Sequence, residues 1–163
     1  MDKVRQLSNP TKRTRMEKSA IPTLIKRDYE RMKGVDAFLI DCAEYASRYY
    51  PMGIPRDGGV RTEAEQLALY KKKKSQKTGA PGDTSKHQAA PHDGLGKALD
   101  YYAIIDGKPS WDKDALWNIF LKMSERAKQL GRKLRSGADW NMNGIRVDND
   151  PAEKFYDGGH VEM

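Results

Sequence analysis

Cysteine and histidine are both scarce in this sequence, and each shortage limits the kind of site that the chain can build. The single cysteine, Cys42, excludes an internal disulfide and a zinc site made of several thiolates. It falls on the apolar stripe of a predicted helix, so we expect it to be buried. Only three imidazoles are present, those of His87, His92 and His160. A histidine-based metal site must therefore use some of these three, with any remaining protein ligands supplied by carboxylates.

Long apolar segments are also missing. No run of apolar residues is long enough to span a bilayer, and the basic N-terminus lacks the apolar core of a secretory signal. With 163 residues, of which 37% are hydrophobic and 33% charged, the composition predicts one soluble domain with a real core. Action outside the cytoplasm would then depend on release by a separate protein.

Aromatic residues are absent from the first 27 residues, which are rich in lysine and arginine. Sites that bind single-stranded nucleic acid combine basic residues with aromatic ones, so this segment does not predict nucleic-acid binding. We interpret residues 1–27 as a basic arm and residues 28–163 as the folded domain. The formal net charge of +7 favours an anionic partner, such as a nucleic acid, an acidic membrane or a cell-wall polymer, without choosing among them.

Periodic patterns predict an α+β fold. Apolar residues at helical spacing predict helices over about residues 28–50 and 112–130. A third helix begins at the capping box Thr62-Glu63-Ala64-Glu65. Alternating residues predict a strand over 96–105, with shorter strands near 60–61, 133–135 and 160–162. The mixture favours a small antiparallel sheet flanked by helices in one domain.

Polar residues in two predicted strands, and in the loop before one of them, can form a metal site. The segment Asp157-Gly158-Gly159-His160 predicts a tight turn that leads into a strand, with the carboxylate and the imidazole near one point. Asp100 follows a loop, residues 75–95, that contains His87 and His92. One loop histidine, Asp100 and His160 would provide three zinc ligands, and Asp157 would deprotonate the bound water. Each of these residues alone could equally be an ordinary polar surface residue.

Three ordered motifs resemble the S-x-H…G-x-A-x-D…D/E-x-x-H signature of the VanY-type zinc peptidases. They are Ser85-Lys86-His87, Gly96-Lys97-Ala98-Leu99-Asp100 and Asp157-Gly158-Gly159-His160. That family contains D-Ala-D-Ala carboxypeptidases and phage L-alanyl-D-glutamate endopeptidases. The phage branch is similar over about residues 35–163, with further likeness in the following segments: Gly59-Val60-Arg61-Thr62, Ile105-Asp106-Gly107-Lys108 and Gly137-Ala138-Asp139-Trp140.

The resemblance implies a role for each matching residue. It implies zinc bound by His87, Asp100 and His160, Asp157 as general base, and Arg61 as a cation for the substrate carboxylate or the oxyanion. It also implies the hedgehog/DD-peptidase-like fold. One departure concerns the loop, because His87 lies further from Gly96 than the family spacing. His92 is therefore the alternative ligand, although His87 keeps the Ser-x-His context.

The implied function is that of a phage endolysin that cuts peptidoglycan stem peptides and lyses the host. We expect a monomer that stays in the host cytoplasm, without a signal peptide, until a separate pore-forming protein releases it to the cell envelope. The alternatives are a D-Ala-D-Ala carboxypeptidase with the same zinc site and a non-catalytic protein that binds cell wall or nucleic acid. Nucleic acid is not the expected partner, for the reason given above.

A second pattern predicts calcium. Asp139, Asn141, Asn143 and Asp150 have the spacing of oxygen ligands in an EF-hand loop, with Gly144 at the sixth position. The twelfth position holds Asp instead of Glu, and no pair of flanking helices is evident. A polar surface loop rich in Asn and Gly is therefore the alternative interpretation. If calcium binds, it would order a segment that the resemblance places beside the zinc site.

Overall fold

The computed structural model describes residues 22–163. The interpretation of the basic arm falls mostly on residues 1–21, which lie outside the described residues. Residues 22–27 of the predicted arm contact the domain, since Leu24 is buried in the core and the Thr23 hydroxyl donates to the Ser47 carbonyl (2.8 Å). The division of the chain into an arm and a domain otherwise stays a prediction.

Within these residues the chain forms four α-helices, one 3₁₀ helix and six short strands. In chain order the α-helices and strands are α1 Lys26–Arg31, α2 Ala37–Ser47, β1 Met52–Gly53, α3 Glu63–Lys71, β2 Ala98–Asp100, β3 Tyr102–Ile105, β4 Lys108–Ser110, α4 Lys113–Gln129, β5 Arg135–Gly137 and β6 Asp157–Glu162. The 3₁₀ helix covers Val147–Asn149. None of the helices in residues 22–163 combines the length and apolar character needed to cross a bilayer.

The strands form two antiparallel sheets of three strands each, where the sequence predicted one small sheet. One sheet has the order β1-β3-β4 and the other the order β2-β6-β5. Strand β6 is thus central, and its neighbours place Asp100 opposite His160 and Arg135 opposite Glu162. Together with the helices, this confirms the predicted α+β class. The register matters for function because it decides which side chains meet across the sheet.

Helices α2 and α4 pack against each other and supply half of the buried core residues. Each has an Asp that caps its first turn, Asp36 accepting from the Phe38 amide (2.9 Å) and Asp112 from the Ala115 amide (2.9 Å). Their buried faces join apolar residues of both sheets, including Leu99 and Val161. Cys42 is buried here as predicted. Packing against this core holds β2 and β6 in place, and these strands carry two of the predicted metal ligands.

The structure corrects four local predictions. The helix predicted over 28–50 is divided into α1 and α2 by a turn at Gly34, whose φ of +85° suits a residue without a side chain. The strand predicted over 96–105 is divided at Tyr101 into β2 and β3, which belong to different sheets. The tight turn predicted at Asp157 is instead the start of β6, and Val60 and Arg61 belong to no strand.

Candidate metal centre and cleft

The loop that carries His87 is fixed by its own hydrogen bonds. The Gln88 side chain accepts from the Ser85 amide (2.7 Å), and the Ser85 hydroxyl accepts from the His87 amide (3.2 Å). The His87 ring is 1% exposed, and its Nδ1 lies 2.8 Å from the Gly59 carbonyl oxygen. A carbonyl oxygen can only accept, so Nδ1 carries the proton and Nε2 keeps its lone pair. The unprotonated nitrogen therefore points toward Asp100 and His160.

Three side chains converge where the histidine loop meets the β2–β6 pair. Asp100 Oδ1 lies 3.2 Å from His87 Nε2 and 2.9 Å from His160 Nδ1, and the two nitrogens are 3.3 Å apart. The three ligand atoms all lie within 4.8 Å of one another, and both histidines are buried. Two imidazoles and one carboxylate form a ligand set that suits zinc with one position left for water. The chemistry of these donors therefore fits a divalent metal.

Glu162 orients His160 from the opposite side. His160 Nε2 lies 2.9 Å from Glu162 Oε2, and the same carboxylate pairs with Arg135 on the neighbouring strand β5. Because Glu162 is ionised, it accepts the Nε2 proton and leaves Nδ1 free for a metal. The sequence alone indicated no role for Glu162 or Arg135. The signal was present, since residues 160 and 162 of a strand face the same side.

The charges at this centre are strongly coupled. Burial opposes ionisation of Asp100, but the neighbouring His87 and His160 outweigh it and hold its pKa well below the usual range. Burial disfavours the charged form of His160, yet the hydrogen bonds with Asp100 and Glu162 raise its pKa to about 10. Burial also opposes ionisation of Glu162, whose bonds to His160 and Arg135 lower its pKa to about 2. A proton and a metal ion would therefore compete for Nδ1 of His160.

Arg61 forms an ion pair and hydrogen bonds within the protein and does not point freely into solvent. It pairs with Asp100 Oδ2 at 2.5 Å, and its Nε donates to the Asp57 carbonyl oxygen (2.9 Å). Its Nη1 donates to Oε1 of Gln66 (3.2 Å), a fully buried side chain that also binds the Ser75 hydroxyl. Arg61 thus holds Asp100 in place. The sequence did not indicate Gln66, whose importance depends on the folded loop around it.

Asp157 lies at the start of β6 and faces the same cleft. Its surface is exposed, but the cleft atoms around it partly desolvate the carboxyl, and the negative charge of Asp100 adds to this effect, so its pKa is raised. A carboxyl with a raised pKa is a better proton acceptor for catalysis near neutral pH. The predicted base therefore stands beside the predicted ligands, although the bend expected between Asp157 and His160 is absent.

A cleft of about 730 Å³ surrounds these groups. One side is lined by aromatic side chains, Trp111, Trp140 and Phe155, of which Trp140 stacks on Phe155 with ring centroids 6.1 Å apart. Trp140 also lies 5.4 Å from the His160 ring. The volume is in the range of pockets that hold a small molecule or a short peptide segment.

His92 does not join the three converging side chains. The metal-compatible group in residues 22–163 consists of His87, Asp100 and His160. His92 is only half-buried, its amide donates to the Ala89 carbonyl (2.9 Å), and its buried Nε2 has no protein partner among the described residues. This geometry favours His87 over His92 as the loop histidine of the group.

The four residues predicted to bind calcium lie together in one loop. The amides of Asn143 and Gly144 donate to the Asp139 carboxylate (3.1 and 2.9 Å), and Gly144 has a φ of +83°. The side-chain amides of Asn141 and Asn143 donate to Asp150 Oδ2 (2.9 and 2.7 Å). The loop therefore has the sharp turn expected at its sixth position, with its polar side chains converging.

Comparisons with known proteins identify a family for this chain. Residues 23–163 match the family described as phage L-alanyl-D-glutamate peptidase. The L-alanyl-D-glutamate peptidase of Escherichia phage T5 is 44% identical over 69 residues, which are 42% of this chain and only 50% of that relative's length. The crystal structure of the Serratia marcescens L-Ala D-Glu endopeptidase ChiX aligns with a TM-score of 0.64 at 23% identity, covering 86% of this chain and 89% of that one, and shows a shared fold. Because the family match covers all but one of the residues that the structure describes, the chain belongs to the phage L-alanyl-D-glutamate peptidase family.

Proposed function

We propose that this protein hydrolyses the bond between L-alanine and D-glutamate in peptidoglycan stem peptides and acts as a phage endolysin. The observation that carries this proposal is the convergence of His87, Asp100 and His160, with Asp157 beside them, in a cleft of a chain from this family. The T5 relative is named for the same bond, although the aligned segment spans only half of its length.

Zinc is the metal that we propose for the centre. His87 Nε2, Asp100 Oδ1 and His160 Nδ1 would hold it, since their other polar atoms already bond to the protein. His92 would not be a ligand. When bound, zinc supplies Lewis acidity toward the scissile carbonyl and lowers the pKa of a water molecule. The hydrogen bonds that the two rings donate to the Gly59 carbonyl and the Glu162 carboxylate fix both ring tautomers in advance, so a metal could bind without rearrangement of the site.

Asp157 is the general base in this proposal. It faces the cleft and would accept a proton from the attacking water and pass it to the leaving amine. Arg61 positions Asp100 and contributes positive charge to the same region, where a substrate carboxylate or the developing oxyanion would be stabilised. The Gln66 side chain and the Asp57 carbonyl accept hydrogen bonds from that guanidinium and limit its motion.

Digestion of purified peptidoglycan tests the proposal. Products with a new N-terminal D-glutamate, identified by mass spectrometry and absent after chelation, are the expected result. Released D-alanine would instead identify a D-Ala-D-Ala carboxypeptidase. No cleavage by a folded, zinc-loaded protein would contradict an enzymatic role and favour wall binding. The His160→Ala variant serves as the inactive control, because it removes a ligand from the same scaffold.

Calcium binding by the loop of Asp139, Asn141, Asn143 and Asp150 is a second proposal. Asp139 and Asp150 are buried, and the side-chain amides that now donate to Asp150 would turn their oxygens toward the ion. Trp140 lies within this loop and beside His160, so an ordered loop would also order one side of the cleft. An enzyme of this kind would be less active in a calcium-poor cytoplasm than in the envelope.

Trp fluorescence or titration calorimetry with calcium against magnesium tests this second proposal. We expect calcium to change the signal and Asp150→Ala to abolish that change, with the exposed Glu63→Ala on α3 as control. A calcium response that survives in Asp139→Ala and Asp150→Ala would show that the loop is only a polar connector.

The setting in which the protein acts is part of the proposal. We propose a monomer whose partner is the peptide portion of peptidoglycan, and which reaches the wall from the host cytoplasm through a separate pore-forming protein. The excess of positive charge, +7, would retain it on an anionic wall.

A further inference from the structure

The cleft has an excess of positive charge on one side. Three of its lining cations are paired: Arg61 with Asp100, Lys77 with Asp83 and Arg135 with Glu162. Three others line the cleft and have no carboxylate partner within residues 22–163. These unpaired cations are Arg56, Lys74 and Lys86.

The unpaired cations come from three segments of the chain that meet around Arg61. Lys86 directly precedes His87. Lys74 and Lys77 lie on either side of the loop to which the Gln66 side chain donates hydrogen bonds. Arg56 is next to Asp57, whose carbonyl accepts a hydrogen bond from Arg61. We call Arg56, Lys74 and Lys86 the basic side of the cleft. The residues from β6 and its surroundings, including Asp157, Trp111 and Phe155, add no unpaired cation. A bound substrate therefore meets positive charge mainly at the His87 side.

Of the three cations of the basic side, Lys86 is the best placed to bind an anion. Its carbonyl accepts from the Lys97 amide (2.7 Å), which fixes its backbone, and its residue is half-buried while Arg56 and Lys74 are exposed. A half-buried cation interacts more strongly with an anion than an exposed one, because less water screens the pair. The exposed cations add longer-range attraction that salt weakens.

The proposed substrate offers a matching anion. Glutamate has two carboxyl groups besides its amine, and the amine belongs to the scissile bond. One carboxyl continues the stem peptide, and the other remains free as an anion or is capped as an amide. A free carboxylate on this residue lies only a few bonds from the scissile nitrogen. The carbonyl group bonded to that nitrogen is the one that must lie at the metal centre. The free form of this substrate therefore places an anion close to the centre, where the basic side begins.

We propose that Lys86, supported by Arg56 and Lys74, binds the free carboxylate of the substrate's glutamate and makes the enzyme selective against stem peptides in which this group is an amide. The inference rests on the proposed function, since it names which form of that substrate the cleft accepts. A carboxamide can still donate and accept hydrogen bonds, but it lacks the charge that an ammonium group stabilises. Hydrogen bonds to charged groups are the stronger class.

Two synthetic peptides of equal length test the inference, one with the free carboxylate and one with the carboxamide. The wild-type enzyme should have a kcat/KM for the carboxylate peptide at least about tenfold higher. Lys86→Met should lower kcat/KM for the carboxylate peptide toward the value for the amide peptide, which it should leave nearly unchanged. Lys108→Met, an exposed lysine on β4 outside the cleft, is the matched control and should behave as wild type.

The outcomes separate this inference from the proposed function. Cleavage of neither peptide at the expected bond by the zinc-loaded wild type would contradict the proposed function. Equal cleavage of both would leave that function standing and overturn the inference. Unchanged discrimination in a folded Lys86→Met protein would also overturn it. If Lys86→Met fails to fold, the wild-type comparison still decides selectivity, and Lys86→Gln decides the role of the charge.

Discussion

Replacement of Glu162 by Gln tests how the metal centre is built. The substitution keeps the size and an acceptor oxygen but removes the charge that meets His160 Nε2 at 2.9 Å. It also leaves Arg135 without its carboxylate. Partners that orient metal-bound histidines typically contribute about 10–100-fold to metal affinity, or about 1.4–2.8 kcal/mol. Glu162 is buried at 6% exposure, so little water is available to replace it, and we expect the full effect.

The pH dependence sharpens this prediction. Glu162 also helps to raise the pKa of His160 to about 10 in the metal-free protein, so its loss lowers that pKa. At low pH the variant therefore suffers less competition from protons, which partly offsets its weaker ligand. The ratio of wild-type to variant zinc affinity should consequently increase from about pH 6.5 to about pH 9.

Competition against a chromophoric zinc chelator at several pH values measures both effects. The control is Glu63→Gln, which removes an exposed charge from α3. Thermal unfolding without zinc shows whether the variant is folded. A folded Glu162→Gln protein that binds zinc as tightly as the wild type at the upper pH would refute the orienting role, as would an affinity ratio that falls with increasing pH.

Three further predictions concern the proposed site residues and stability. His87→Ala should abolish stoichiometric zinc binding, while His92→Ala should retain it; metal analysis of the purified variants decides, and the opposite result would exchange the two ligands. Asp157→Asn should bind zinc but lose about 10²–10⁴-fold in kcat, and the wild-type rate should fall as pH drops through a pKa above the usual aspartate value, because protonated Asp157 cannot accept a proton; near-normal turnover of the zinc-loaded variant would remove Asp157 from this role. Burial opposes ionisation of Asp36, but the Lys97 ammonium (2.7 Å) and the Phe38 amide outweigh it and lower its pKa. Its contribution to stability is thus present above the unfolded pKa of about 4 and is lost as pH falls through the lower folded value. Urea unfolding of Asp36→Asn should therefore show less loss of stability on acidification than wild type, and an identical loss would contradict this.

The sequence predicted the elements whose signals are local. The capping box at Thr62 forms as expected, with the Glu65 amide donating to the Thr62 hydroxyl (3.1 Å) and the Thr62 amide to the Glu65 carboxylate (2.7 Å). Helix α4 follows its apolar stripe closely. The order of the histidine and aspartate motifs also indicated three residues that the structure brings together. These features depend on short spacings, which a single sequence displays directly.

Other features depend on contacts between distant segments and gave little signal. The division at Tyr101 arises because its amide donates to the Gly159 carbonyl (2.8 Å) while the next residues pair with β1 instead. The alternating residue pattern alone predicts one continuous strand for such a stretch. The burial of Gln66 likewise follows from the fold of the loop over it, and a polar residue on a short helix normally indicates a solvent-exposed position.

The central position of β6 links the chemistry of this protein to the order in which its chain is made. Strands β2 and β5 do not pair with each other, and both pair with β6, which follows them in sequence. His160 must return to Asp100 across a separation of 60 residues, and Glu162 must return to Arg135. A growing chain whose synthesis has not reached β6 therefore has an unfinished sheet and lacks His160, one of the three converging side chains. The proposed metal centre and the closure of that sheet would therefore form in the same step, once β6 is available to pair with β2 and β5.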